Sequence, residues 1–164
     1  MKTLQATPLT RERFAPYGDV IQTDRSVEHF PINNGSTMRY HDMARVQLLG
    51  AGARPVISIF RGQPFALPVT LKLMERHPQG SQAFVPMRRD RFLLVVAPAG
   101  DGFSVDDLRA FITNGSQGVN YHAGVWHHPL LSLDRVSDFL VVDRAGEGDN
   151  CDERELPCSV RVTL

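Results

Sequence analysis

The chain has 164 residues, 42% hydrophobic, 22% charged and 8% aromatic, the composition of a globular protein and not of a disordered, collagenous or coiled-coil one. Lys plus Arg and Asp plus Glu both number 18, so neither a basic nucleic-acid binder nor a polybasic membrane-surface protein is expected. No apolar run approaches the roughly 20 residues of a membrane span, no signal peptide is visible at Met1–Gln5, and two cysteines are too few for a disulfide framework. A single cytoplasmic domain over residues 1–164, with Cys151 and Cys158 reduced, is the expectation.

Thr10 is placed to cap a short helix over residues 11–17, with Gly18 just past its end. Residues 19–22 and 38–43 read as strands, the second preceded by an Asn33-Asn34-Gly35 turn. Residues 56–61 form a strand ended by Gly62. Segments 69–77 and 82–86 flank the turn Pro78-Gln79-Gly80-Ser81 and are expected to pair as a hairpin. Segment 91–97 is apolar on both faces, as a buried central strand is. Ser104 with Asp106 and Asp107 predicts a helical turn over 106–110. Strands at 119–128 and 139–143, and an edge strand at 159–164, complete the set. Many short strands and few helices predict an all-β barrel or double-sheet roll, whose mouth suits a small ligand.

Polar residues interrupt this pattern in three places. With side chains alternating along a strand, Val69, Leu71, Leu73, Glu75 and His77 fall on one face. That row points a carboxylate and an imidazole inward, which is costly unless they are paired or bound to something. Gln82 returns close to His77 after the turn. Glu75, His77 and Gln82 are thus a polar cluster at a barrel mouth; a satisfied buried network or a simple rim would give the same spacing. In the second place, His122, Trp126 and His128 share one parity and Tyr121 and His127 the other. His122 is the choice for the inward set, because it would add an imidazole to Glu75 and His77. His127 reads as a hydrogen-bonded histidine near Pro129. In the third, Arg61 ends the row Ile57, Ile59 and could clamp a carboxylate through its fork, or snorkel at a rim. Arg39, Tyr40, His41 and Asp42 form a further polar run.

Glu75-x-His77-x4-Gln82, followed about 40 residues later by a Gly-rich strand with His122, resembles the two-part cupin motif, His-x-His-x4-Glu and a later His. Glu75 replaces the first His, and Gln82 the Glu. On that resemblance Glu75, His77, Gln82 and His122 would hold a six-coordinate divalent metal ion such as Ni²⁺ or Mn²⁺. Longer segments are more specific. Glu-Arg-His-Pro-x-Gly-x-Gln-Ala-Phe-x-Pro-Met at 75–87, Leu-Arg-Ala-Phe-Ile-Thr-Asn-Gly at 108–115, Gln-Gly-Val-Asn-Tyr-His at 117–122 and Val-Trp-His-His-Pro-Leu at 125–130 are similar to the bacterial ureidoglycolate lyase family. The resemblance implies a cupin-like barrel, a homodimer, and cleavage of (S)-ureidoglycolate to glyoxylate and urea in allantoin degradation.

That elimination needs a base for the hydroxyl proton, an acid for the departing ureido nitrogen and a cation for the carboxylate. Under this reading His77 or His122 takes the proton and Glu75 donates one. Gln82 and Asn34 hydrogen-bond the ureido end, Arg61 with Arg39 second holds the carboxylate, and Tyr121 and Trp126 complete the substrate-binding set. Two other functions compete: a metal-dependent cupin enzyme acting on another small carboxylic acid, and a non-catalytic ligand-binding barrel. Hydrolysis releasing ammonia would need a strongly activated water, and no ligand set for one is visible.

Overall fold

The computed structural model describes residues 1–164. It is all-β apart from one four-residue α-helix, Arg11–Phe14, and two 3₁₀ turns. An eight-stranded sheet contains Lys2–Gln5, Asp152–Thr163, Val69–Arg76, Trp126–His127, Phe92–Ala97, Arg109–Ile112 and Thr7–Pro8 in that order, with Leu131–Ser132 also on Phe92–Ala97. It curls until Lys2–Gln5 lies beside Arg109–Ile112. A five-stranded sheet runs Gly18–Ile21, Gly118–Tyr121, Gln82–Pro86, Ser137–Ala145 and Arg54–Gly62. The two sheets together make the expected cupin-like barrel.

Phe92–Ala97 is the wall between two apolar cores, as its unbroken run of apolar side chains requires. Leu93, Val95 and Ala97 pack with Val69, Leu71, Met74, Trp126, Val160 and Val162 inside the curl of the larger sheet. Phe92, Leu94 and Val96 pack with Phe84, Val119, Tyr121, Phe139 and Val141 of the smaller sheet and with Phe14 of the helix. Each Phe or Leu here contributes roughly 1.5–3 kcal/mol by leaving water.

Several local expectations are corrected. The helix stops at Phe14, although Thr10 does cap it by accepting from the Arg13 amide. Gly18 belongs to the next strand, where the Asn120 carbonyl lies only 2.0 Å from where a Cβ would sit. Val69–Arg76 and Gln82–Pro86 do not pair: the turn between them carries the chain from the larger sheet to the smaller. Ser104 caps a 3₁₀ turn at Val105–Asp107, and Arg109–Ile112 is a strand. The C-terminal strand is central, gripped by Lys2–Gln5 on one side and Val69–Arg76 on the other. His29–Ile32 pairs only with Thr37–Tyr40 in a separate, mostly exposed hairpin.

Candidate active site

Three strand ends from both sheets deliver the site. Glu75 comes from Val69–Arg76 and lies opposite His127 in the register of Trp126–His127. Gln82 opens its strand opposite Tyr121. His77 sits in the turn between sheets. Directly opposed residues share a face, so these side chains meet inside the barrel. One oxygen or nitrogen from each of Glu75, His77 and His127 lies within 4.8 Å of the other two. Glu75 Oε1 is 3.4 Å from His127 Nε2 and 3.8 Å from His77 Nε2. His77 Nε2 is 3.1 Å from Gln82 Oε1, and Gln82 Nε2 donates to Asp143 Oδ2 at 3.2 Å. Tyr121 walls the cluster, its ring stacked on His127 with centroids 4.2 Å apart.

Both imidazoles are oriented from behind. The Nδ1 of His77 is 2.7 Å from the Asn150 carbonyl and that of His127 is 3.0 Å from the Val125 carbonyl. A carbonyl only accepts, so each Nδ1 carries the proton and donates it, and each Nε2 is turned toward Glu75. His127 is buried, and its Nε2 has no close hydrogen-bond partner. Burial, the largest influence on Glu75, pushes its carboxyl up. The close approach and charge of His127, followed by the charges of His77 and His128, outweigh it and leave Glu75 below the ordinary carboxylate range. Complete burial and the nearby Glu75 charge push the Tyr121 phenol upward. Burial pushes the His128 imidazole down.

The structure thus brings Glu75, His77, Gln82 and Tyr121 together and leaves the other expected residues elsewhere. His122 lies on the outer face of the smaller sheet, its Nε2 3.1 Å from Asp19 Oδ2. Val20 and Val119 point into the core, so their strand neighbours Asp19 and Asn120 point out. There His122 lines an outer cavity of about 430 Å³ with Asp19, Asp42, Arg45 and Gln47. The reason is alternation: Tyr121 points into the core, so His122 beside it points out. A turn at 122–125, closed by Val125 N–H to the His122 carbonyl and tied by Gly124 N–H to the His77 carbonyl, then carries the chain to the larger sheet. His127 takes the expected place of His122. The signal for it is the parity it shares with Tyr121: the inward set is Tyr121 and His127 and not the one that holds His122.

Trp126 faces the other core, donating from Nε1 to the Gly100 carbonyl beneath Arg76. Arg61 points outward and forms a two-bond clamp with Asp138, at 2.8 and 2.9 Å. Its neighbours Ile57 and Ile59 are 72% and 51% exposed, so this row faces outward and Arg61 is away from the cluster. Asn34 and Arg39 belong to the separate exposed hairpin. The row leading to Glu75 is also discontinuous. Val69 and Leu71 share a core with Met74, because the partner strand shifts register between Glu155 and Val160. The neighbours of Glu75 hold its carboxyl below the ordinary carboxylate range, which suits it to accept a proton.

A family model described as Ureidoglycolate lyase matches residues 1–163. The chain belongs to the ureidoglycolate lyase family. Relatives named "Ureidoglycolate lyase" include one from Pseudomonas savastanoi pv. phaseolicola, 58% identical over 93% of this chain and 89% of its own length. Another, from Pseudomonas fluorescens, is 56% identical over 100% of this chain and 98% of its own. A third, from Burkholderia mallei, is 54% identical over 99% and 95%. The ureidoglycolate lyase family is a family of lyases, and the chain is an enzyme of that class.

Proposed function

We propose that this chain splits ureidoglycolate into glyoxylate and urea at the Glu75–His77–Gln82–His127 cluster. The observation that carries the reading, beside family membership, is the convergence inside the barrel of one carboxylate and two imidazoles, each oriented by its Nδ1–H on a backbone carbonyl. The Glu75 carboxylate takes the proton of the substrate hydroxyl. Its electron pair forms the new carbonyl, and the carbon–nitrogen bond breaks. For this step the His77 ring carries a proton on each nitrogen; the departing ureido nitrogen takes the one on Nε2, which faces Gln82 Oε1 and Glu75 Oε1, and the ring is left neutral with Nδ1 still donating to the Asn150 carbonyl. Paired groups of opposite proton affinity are what such an elimination requires. Tyr121 presents an apolar ring that keeps water from His127. The test is glyoxylate and urea release from (S)-ureidoglycolate. Ammonia as the nitrogen product, or no turnover, overturns the reading.

The donor set also fits a divalent metal ion. His127 Nε2 is buried with no close partner, and both histidines donate Nδ1–H to a carbonyl, the arrangement that orients metal-bound imidazoles. Glu75, His77, Gln82 and His127 would hold it; Ni²⁺ and Mn²⁺ suit that mixture of imidazole, carboxylate and amide. When bound, the ion would supply Lewis acidity and positive charge for the substrate carboxylate. Glyoxylate release measured before and after chelator, then with Ni²⁺ or Mn²⁺ restored, separates the two versions.

The chain works as a homodimer joined through the outer face of the five-stranded sheet. Ile57 and Ile59 are exposed there beside half-buried Val85, Leu140 and Val142, all on one side by register. This apolar face ends in the edge strand Arg54–Gly62, and a second copy would cover it.

A further inference from the structure

We infer that Asp143 is a positioning residue that fixes the amide of Gln82, so that its carbonyl and not its NH₂ faces His77. The inference rests on the cluster's being the site of turnover. Asp143 lies in Ser137–Ala145, opposite Val56 and one position past Val142, which pairs with Ala83. Val142 and Ala83 point out of the barrel, so Asp143 and Gln82 point in.

The chemistry of the three groups leaves one arrangement. A carboxylate accepts hydrogen bonds and cannot donate them. Asp143 Oδ2 therefore requires the Gln82 NH₂ at 3.2 Å. That turns the Gln82 Oε1 to His77 Nε2, 3.1 Å away. With Nδ1 already donating to the Asn150 carbonyl, His77 Nε2 faces two acceptors, Gln82 Oε1 and Glu75 Oε1. A reversed amide would set Oε1 against the Asp143 carboxylate and aim N–H bonds at Nε2. It would occupy the lone pair that a metal uses, or repel the proton that Nε2 gives up. Asp143 thus acts through Gln82 on His77 and touches no substrate.

The experiment uses the full chain, its Asp143→Asn variant and the double variant Asp143→Asn with Gln82→Glu. The introduced amide matches the carboxylate in shape but can offer either an acceptor or a donor, so the Gln82 side chain is no longer held. The double variant exchanges the two groups: the new amide at position 143 donates to the new carboxylate at position 82, whose other oxygen again faces His77. Two readouts are taken: glyoxylate release from ureidoglycolate, and the ¹⁵N signals of the His77 ring by NMR. The expected result is a roughly 10–100-fold loss of kcat in Asp143→Asn, the usual scale for an orienting partner. KM should change little, the His77 Nε2 signal should move, and both should recover most of the way in the double variant. A His77 signal unchanged in Asp143→Asn, or a double variant no better than the single, overturns the inference. Wild-type protein inert toward ureidoglycolate would instead strike the proposed reaction, with the NMR comparison still deciding the role of Asp143.

Discussion

Glu75 and His127 are the side chains whose loss the site is least able to absorb. Glu75→Gln keeps the shape and removes the charge that both imidazoles face. A drop of roughly 10²–10⁴ in kcat is expected, the usual contribution of a positioned proton acceptor. His127→Ala should cost at least as much and also leave a hole beside Tyr121. His122→Ala and Arg61→Ala should alter glyoxylate release less than about threefold, because each is spent on a carboxylate elsewhere, Asp19 or Asp138, and such exposed pairs contribute little. A collapse of turnover in either variant, with the fold intact by circular dichroism, would return that residue to the site. Glu75, His77 and Gln82 are legible in the sequence because they lie within eight residues and local spacing brings them together. His127 is not, because alternation offers two sets, and only the fold shows that Tyr121 and His127, and not His122, face the cluster. Arg61 misleads because an apolar row on an edge strand is equally suited to an interior and to a surface awaiting cover.

At the scale of elements, Gly118–Tyr121 holds the site to the sheet. A Cβ at Gly118 would lie 2.7 Å from the Phe84 carbonyl, a backbone atom that cannot swing aside. Gly118→Ala should therefore cost about 1–3 kcal/mol of stability, the range for forced overpacking. It should also lower turnover, since the displaced strand carries Tyr121. Urea melts and glyoxylate release measured together test this; a variant as stable and as active as wild type would show that the strands tolerate the spread. Most strands are legible from alternation and turn residues. Their partners are not: the turn at 78–81 looks like a hairpin turn, yet the chain crosses between sheets there. Local sequence sets how a turn bends, whereas burial of both faces of Phe92–Ala97 decides which strands flank it.

For the molecule as a whole, two responses follow from its surface. Ile57→Asp with Ile59→Asp places charge on the outer apolar face and should convert a dimer to a folded monomer by sedimentation equilibrium; an unchanged mass would move the interface elsewhere. Acid is the second. Asp24, Asp107, Asp134 and Asp138 are all held below the ordinary carboxylate range, chiefly by Ser26, the Ser104 amide, Arg91 and Arg61 respectively. A carboxyl lower in the folded chain than in the unfolded one stabilises the fold above about pH 3.9. That stabilisation disappears as pH falls through the folded value. The urea midpoint should decline on acidification below about pH 4, less steeply in Asp134→Asn; equal slopes would assign acid sensitivity to other groups.

Phe92–Ala97 separates two chambers of unequal appetite: Phe, Leu and Val project into one, Leu, Val and Ala into the other. Sliding this segment by a single residue would exchange every occupant, crowding one chamber and starving the other. Its alignment is thereby checked twice, once from each side. Amide protons along it should be the last in the molecule to trade with heavy water.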